Sequence, residues 1–283
     1  MENNLKYHQK NRLFFPEGDL TPLYTFINEK TALPSKQLLR VVFQYTSWES
    51  LFNGIIRQNS CGNPEICLRA TNCQYLNDPG EIQYGLDIAS KIIVPHFKDI
   101  SQEELYHLPL DNVYITSFSS VINGLPMWKM YGHDGEGVAL GFDIDLLQRK
   151  ESKLFQCIYD DGAFRANIQD VMRQCLISPR KGENELAVFQ KYLILLQKLV
   201  KHVAYRHEEE YRLVTITDDV PLFRTDHNKL IPFIENHFPI ESLKVIWLGP
   251  RCNPKQASFS LIQWLDSVGL KDVQIIISDL PYR

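Results

Sequence analysis

Arg206-His207-Glu208-Glu209-Glu210-Tyr211-Arg212-Leu213-Val214-Thr215-Ile216 runs three consecutive acids straight into a β-branched, aromatic segment. A triple acid ordinarily marks a solvated helix end. Here Tyr211, Val214, Thr215 and Ile216 favour a pleated surface, so the segment reads as a strand. If the strand begins by His207, side chains alternate, and Glu208, Glu210 and Arg212 share one face while Glu209, Tyr211 and Leu213 share the other. The rise per residue sets the α-carbons of Glu208 and Glu210 roughly 7 Å apart. Two carboxylates and a guanidinium on one ledge suit cation stabilisation, hydroxyl binding and anion binding side by side. The plainer alternative is an ion-pair ledge with no ligand.

The chain around this strand has 283 residues, 44% hydrophobic and 11% aromatic, enough for a sizeable core and unlike a disordered or fibrous sequence. Its 30 basic and 34 acidic residues leave a net charge of −4. No large positive field results, which argues against duplex DNA or an anionic membrane as partner. The opening MENNLKYHQKNRLFF lacks the apolar centre of a signal peptide, and no window approaches ~18 uninterrupted apolar residues, so a cytoplasmic location is expected. Cysteines at 61, 67, 73, 157, 175 and 252 form no CxxC pair. The even spacing of Cys61, Cys67 and Cys73 crosses a turn, a strand and a loop. They read as small buried hydrophobes rather than zinc ligands, and no metal is expected.

Residues 1–37 carry Pro16, Gly18, Pro22 and Pro34 and read as an N-terminal extension packed on a single domain spanning 38–283. Strands are expected at Leu38–Thr46, Ile66–Ala70, Val113–Ser119, Val138–Asp143, Phe155–Tyr159, Leu243–Leu248 and Val273–Ser278. Ser47 caps a short helix, and Asp78, with Pro79 just inside, caps another running to about Pro95. Gly124–Gly132 reads as a compact aromatic turn. Helices are expected at Ala163–Ile177, from about Asn184 to Ala204, and at Gln256–Val268. A loop rich in charge and proline follows the acidic strand. This order lacks strict βαβ alternation, so the fold class is α+β, with a mixed or split β-sheet and flanking helices.

No P-loop, GxGxxG, HExxH or GxSxG is present. Gly132, Gly135, Gly137 and Gly141 can cradle a phosphate, but a turn between two strands is the simpler use. Short phrases say more when taken in order: Leu68-Arg69-Ala70-Thr71, Leu76-Asn77-Asp78-Pro79-x-Glu81, Thr116-Ser117-Phe118-Ser119, Leu125-Pro126-Met127-Trp128-x-x-Tyr131-Gly132, Gly141-Phe142-Asp143, Glu208-x-Glu210-Tyr211-Arg212 and the closing Ile277–Arg283. Together they resemble a bacterial domain-of-unknown-function family, numbered twenty-nine seventy-one. That family is distantly similar to the ADP-ribosyltransferases, which carry an aromatic or polar signature on an early strand, a serine strand and a Glu-x-Glu strand.

The resemblance implies an ADP-ribosyltransferase-like core, with Tyr45-Thr46 as the first element, Ser117-Phe118-Ser119 as the second and Glu208-x-Glu210 as the third. Where the ADP-ribosyltransferases usually carry His before the Tyr, this chain has Gln44, and Tyr205 stands where an upstream Trp is common. It further implies NAD as substrate, a macromolecular acceptor or water, and a place among bacterial toxins or anti-phage effectors.

Chemistry gives an independent reason for the same expectation. Cleaving the nicotinamide–ribose bond builds positive charge on the sugar and releases a neutral base, so no general acid is needed. Glu210 is the candidate for stabilising that cation and gripping a ribose hydroxyl; Glu208 is the candidate for orienting or deprotonating the acceptor. Repulsion between the two is expected to raise the pKa of one. Arg69 and Arg212 are candidates for the pyrophosphate. Trp128 and Tyr131 are candidates for stacking on a flat ring, and Asn77, Asp78, Ser117 and Ser119 complete the candidate cofactor-binding set. A non-catalytic nucleotide- or protein-binding module, and a metal-independent hydrolase or nuclease using the paired acids, stay open as alternatives.

Overall fold

Among residues 41–76, 79–93, 95, 112–177, 193 and 195–282, which the computed structural model describes, an 11-stranded sheet organises the chain. Its middle is β4 (Val113–Ser119), whose burial on both faces follows from a run of Val, Tyr, Ile and Phe. Along one edge β4 pairs over its full length with β7 (Glu210–Ile216), from Val113 opposite Ile216 to Ser119 opposite Glu210. The other edge is shared. Phe43 of β1 (Val41–Thr46) lies opposite Ser119, while Thr71 and Asn72 of β3 (Pro64–Asn72) lie opposite Ile115 and Tyr114. Between these two attachments, Thr116–Phe118 has no ladder partner on that side among the described residues, and the sheet forks there.

From β1 the sheet continues to β5 (Val138–Asp143), β10 (Leu243–Leu248) and β11 (Gln274–Ile277), with β10 and β11 parallel and the other ladders antiparallel. From β3 it continues to β9 (Lys229–Pro239) and β8 (Leu222–Asp226), with β2 (Ile56–Gln58) also on β3 and β6 (Ser152–Gln156) on β7. The class is α+β with a mixed, forked sheet.

Side-chain alternation sorts the core. On one face Ile115, Val214 and Phe155 pack against Ile88 of α1 (Pro79–Ile93), and against Phe164 and Ile168 further along the chain. Farther along the same face, Phe43, Tyr45 and Ala139 pack against Met127 and Trp128 of α2 (Leu125–Met130). The helix carrying Phe164 and Ile168 is α3 (Asp161–Ile177). On the opposite face Leu68, Phe118, Leu140 and Leu213 meet Leu261 and Leu265 of α4 (Pro254–Ser267). Burying each such aliphatic side chain is worth roughly 1.5–3 kcal/mol.

Four local expectations are corrected. The helix expected to reach Ala204 stops earlier: Ile158 N–H donates to the Leu199 carbonyl (2.6 Å) and Lys201 N–H to the Ile158 carbonyl (2.9 Å), so Val200 bridges Ile158 as an extended segment. A 3-10 helix, Val203–Glu208, follows, capped by the His202 side chain, and Glu209 is left-handed (φ 41°), so the acidic strand starts at Glu210 and not at His207. The proline-rich loop expected after that strand is instead the β8–β9 hairpin, turning at His227 (φ 51°). Tertiary pairing decides it, since β9 runs against β3 from Glu65 through Thr71. The aromatic turn at 124–132 contains the short helix α2. The N-terminal extension, the first residues of the expected opening strand and the Asp78 cap lie outside the described residues.

The glycine cluster builds a turn. The Gly132 carbonyl accepts from the N–H groups of Gly135 (3.0 Å) and Gly137 (2.9 Å), which leaves neither donor for a phosphate. A Cβ on Gly137 would stand 2.2 Å from the Thr46 carbonyl oxygen. Gly137→Ala is therefore expected to cost about 1–3 kcal/mol through overpacking, read as a lowered urea midpoint; an unchanged midpoint would contradict this packing.

Candidate functional site

At the fork in the sheet a cavity of about 450 Å³ opens, within the range typical of small-molecule sites. Register explains what faces it. Ser119 lies opposite both Phe43 and Glu210, and Ser117 lies opposite Arg212, so Tyr45, Ser117, Ser119, Glu210 and Arg212 project from one face of three neighbouring strands. The cavity is walled by Met127 of α2 and by Tyr131 at its C-cap, and by β3 through Arg69 and Thr71. Among the described residues, four cations (Arg69, Lys201, Arg212 and Arg224) and two carboxylates (Glu208 and Glu210) line it, together with Tyr45, Tyr75, Tyr131 and Tyr205.

The charges on the floor are interlocked. Arg212 grips Glu210 through Nε (2.9 Å) and Nη2 (3.0 Å), and its Nη1 donates to the Lys198 carbonyl (2.6 Å). The Lys201 ammonium contacts Glu210 at 2.9 Å and also contacts Glu208. Tyr131 donates its hydroxyl to Glu208 Oε1 (2.9 Å). Lys201, Glu208, Glu210 and Arg212 are all buried, and such charges persist inside a protein only when paired in this way. Burial alone would push the Glu210 carboxyl up, but the Arg212 guanidinium and the Lys201 ammonium outweigh it and hold the group at about 2. Glu210 is thus a fixed anion at neutral pH. The expected repulsion between the two acids is offset by the lysine between them. Tyr131 is pushed above its ordinary range by burial and by the neighbouring Glu208, so its hydroxyl keeps its proton and stays a donor.

Not every candidate reaches the cavity. Trp128 is fully buried; its indole N–H donates to Asn123 Oδ1 (2.9 Å) and its ring meets Tyr45 edge-on at 4.9 Å, so it supports Tyr45 rather than stacking on a ligand. Thr46 pairs with Val138 in the sheet and is absent from the cavity wall. Tyr45 lines the wall, with its hydroxyl donated to the Val121 carbonyl (2.8 Å). Ser119 donates to the Glu208 carbonyl (2.5 Å), tying β4 to the 3-10 turn, whereas Ser117 is exposed toward the cavity. Arg212 faces the cavity, but its guanidinium is committed to Glu210 and Lys198, which removes it as a pyrophosphate ligand. Arg69 remains available for that role, half-exposed and lying over the Phe233 ring. Asn77 and Asp78 lie outside the described residues.

Sequence reasoning missed Lys201 and Arg224. Lys201 sat in an apolar run read as helix, where a lysine needing a buried partner was the available signal. Arg224 sat in the segment read as a loop.

With this geometry in view, the glycine turn, all but the first two residues of α2, Lys201 and the acidic pair fall within one stretch. Residues 127–213 match the model of a family described as "Protein of unknown function (DUF2971)". The match supports the domain-of-unknown-function family read from the sequence, and the DUF2971 stretch takes in the whole interlocked floor of the cavity. It leaves out β1, β3 and all of β4. No curated protein and no solved structure matches the chain. Among the described residues no helix is long and apolar enough to cross a membrane.

Proposed function

We propose that the cavity at the fork binds NAD and supports ADP-ribosyltransferase-like chemistry, transferring ADP-ribose to a macromolecule or to water. The reading rests on one observation: Tyr45, Ser117 with Ser119, and Glu210 come from three separated sequence segments, yet share one face of adjoining strands around one cavity. Among the described residues, cations outnumber carboxylates on the wall, which favours an anionic ligand, and tyrosines offer flat surfaces for its rings. Arg69 and Arg224 bind the pyrophosphate from β3 and β8. The bond between nicotinamide nitrogen and ribose C1 breaks, its electron pair leaving with the nitrogen. The acceptor's nucleophilic atom then bonds to C1 and gives up its proton to solvent or to Glu208. Glu210 supplies a fixed negative charge near the sugar, and Glu208, steadied by Tyr131, orients the acceptor.

A toxin or anti-phage effector role follows only from the family resemblance and is part of the same proposal. A second reading, a binding module without chemistry, is favoured by one specific feature: Lys201 and Arg212 already neutralise the carboxylates. One incubation separates the two. With purified protein, labelled NAD and cell lysate, release of nicotinamide with label on a product supports transfer, and release without label supports hydrolysis. NAD that binds but is recovered intact supports the binding module.

A further inference from the structure

We propose that Cys67, Glu235 and His237 form a binding site for a divalent transition-metal ion of the zinc class, joining β3 to β9 beside the cavity. Cys67 lies directly opposite His237 in the ladder, and Glu235 is two residues before His237, so the three side chains leave the same face of two adjacent strands. Alternate positions on one strand plus the facing position on its neighbour give three donors arranged as a triangle. Their donor atoms already lie within 4.8 Å of one another. Bonds of about 2.0–2.3 Å to a shared ion need them only slightly closer, a change that side-chain rotation can supply. Sulfur, imidazole nitrogen and carboxylate oxygen together form a donor set suited to zinc and unlike the all-oxygen sets of calcium or magnesium.

The surroundings fit that use. Glu65, on the same face two residues before Cys67, accepts at Oε1 from His237 Nδ1 at 2.8 Å. A carboxylate on one imidazole nitrogen orients the ring and leaves the other nitrogen for an ion, a pairing found repeatedly around metal-bound histidines. Arg57 holds both Glu235 oxygens at 2.9 Å, which fixes the carboxylate while leaving lone pairs free. His237 is on the surface, so an ion has a route in and a fourth position open to water. Arg69, two residues beyond Cys67 and 3.9 Å from Glu235, links this triangle to the cavity wall. The site does not depend on the NAD reading.

The test uses the full chain, stripped with a chelator and reloaded with zinc or cobalt. Wild-type protein is expected to retain one equivalent of zinc after dialysis, and the cobalt form to show thiolate charge-transfer absorption. Cys67→Ser should abolish that absorption. Glu65→Gln should weaken zinc binding about 10–100-fold, as loss of such an orienting partner does. His237→Ala, at a surface position, should lose the ion while thermal melting shows a folded protein. Cys61→Ser and Cys252→Ser should behave as wild type. Failure of the wild-type chain to retain zinc, cobalt–thiolate absorption surviving in Cys67→Ser, or its loss in Cys61→Ser would each overturn the site.

Discussion

Lys201→Met is expected to destabilise the protein by about 3–5 kcal/mol, the usual effect of removing one partner from a buried charge cluster. The ammonium is the group that touches both Glu208 and Glu210. Without it Glu208 keeps the Tyr131 hydroxyl and Glu210 keeps Arg212, but two buried carboxylates face each other with nothing between them. At roughly 2–4 °C per kcal/mol for a chain of this size, the melting temperature should fall by about 10 °C. Adding Glu208→Gln to Lys201→Met should recover part of that loss, because it removes the orphaned charge rather than restoring the pair. A melting temperature within about 2 °C of wild type would mean that the cluster is solvated and contributes little.

Glu210→Gln carries the second large effect. The amide preserves shape but removes the fixed anion, and nicotinamide release should fall by ~100-fold or more if that charge stabilises the developing sugar cation. Turnover within about twofold of wild type would remove Glu210 from the chemistry. The same variant has a signature in stability. The folded-state carboxyl, held at about 2, lies below its ordinary 4.5, so its contribution is present above that ordinary value and is lost as pH falls toward 2. The Gln variant should therefore lose less stability than wild type across that acid window. A positive charge left on Arg212 and Lys201 makes some loss of neutral-pH stability expected as well, so activity is compared at a temperature where both proteins are folded.

Much of this architecture was legible where local preference and tertiary pairing agree. Val113–Ser119, Val138–Asp143 and Leu243–Leu248 are rich in β-branched and aromatic residues and form strands as expected. The acidic pair was also found, but for an incomplete reason. Glu208 and Glu210 meet the same lysine because a left-handed Glu209 turns the chain between a 3-10 helix and a strand, not because the strand alternation extends back to His207. No periodicity encodes a single left-handed residue. Lys201 was hidden for a related reason: its position is fixed by a bridge between Val200 and Ile158, a contact across more than forty residues of sequence. Pro232 and the charges around it concealed β9, whose pairing with β3 brings Cys67 and His237 together. Trp128 was misjudged as a ligand surface because sequence shows an aromatic residue without showing which side of it is covered.

The most direct measurement of the central claim is calorimetric titration of NAD into the wild-type chain and into Arg69→Ala/Arg224→Ala. Both guanidiniums stand on the β3–β9–β8 branch of the fork, Arg69 on β3 and Arg224 two strands farther out on β8, so they act together only if the ligand lies along that wall of the cavity. Charge-assisted hydrogen bonds are worth about 1.5–3 kcal/mol each. The expected result is saturable binding to wild type, weakened at least tenfold in the double variant with the fold intact. Absence of binding heat in wild type, or equal affinity in both proteins, would contradict a nucleotide site at the fork.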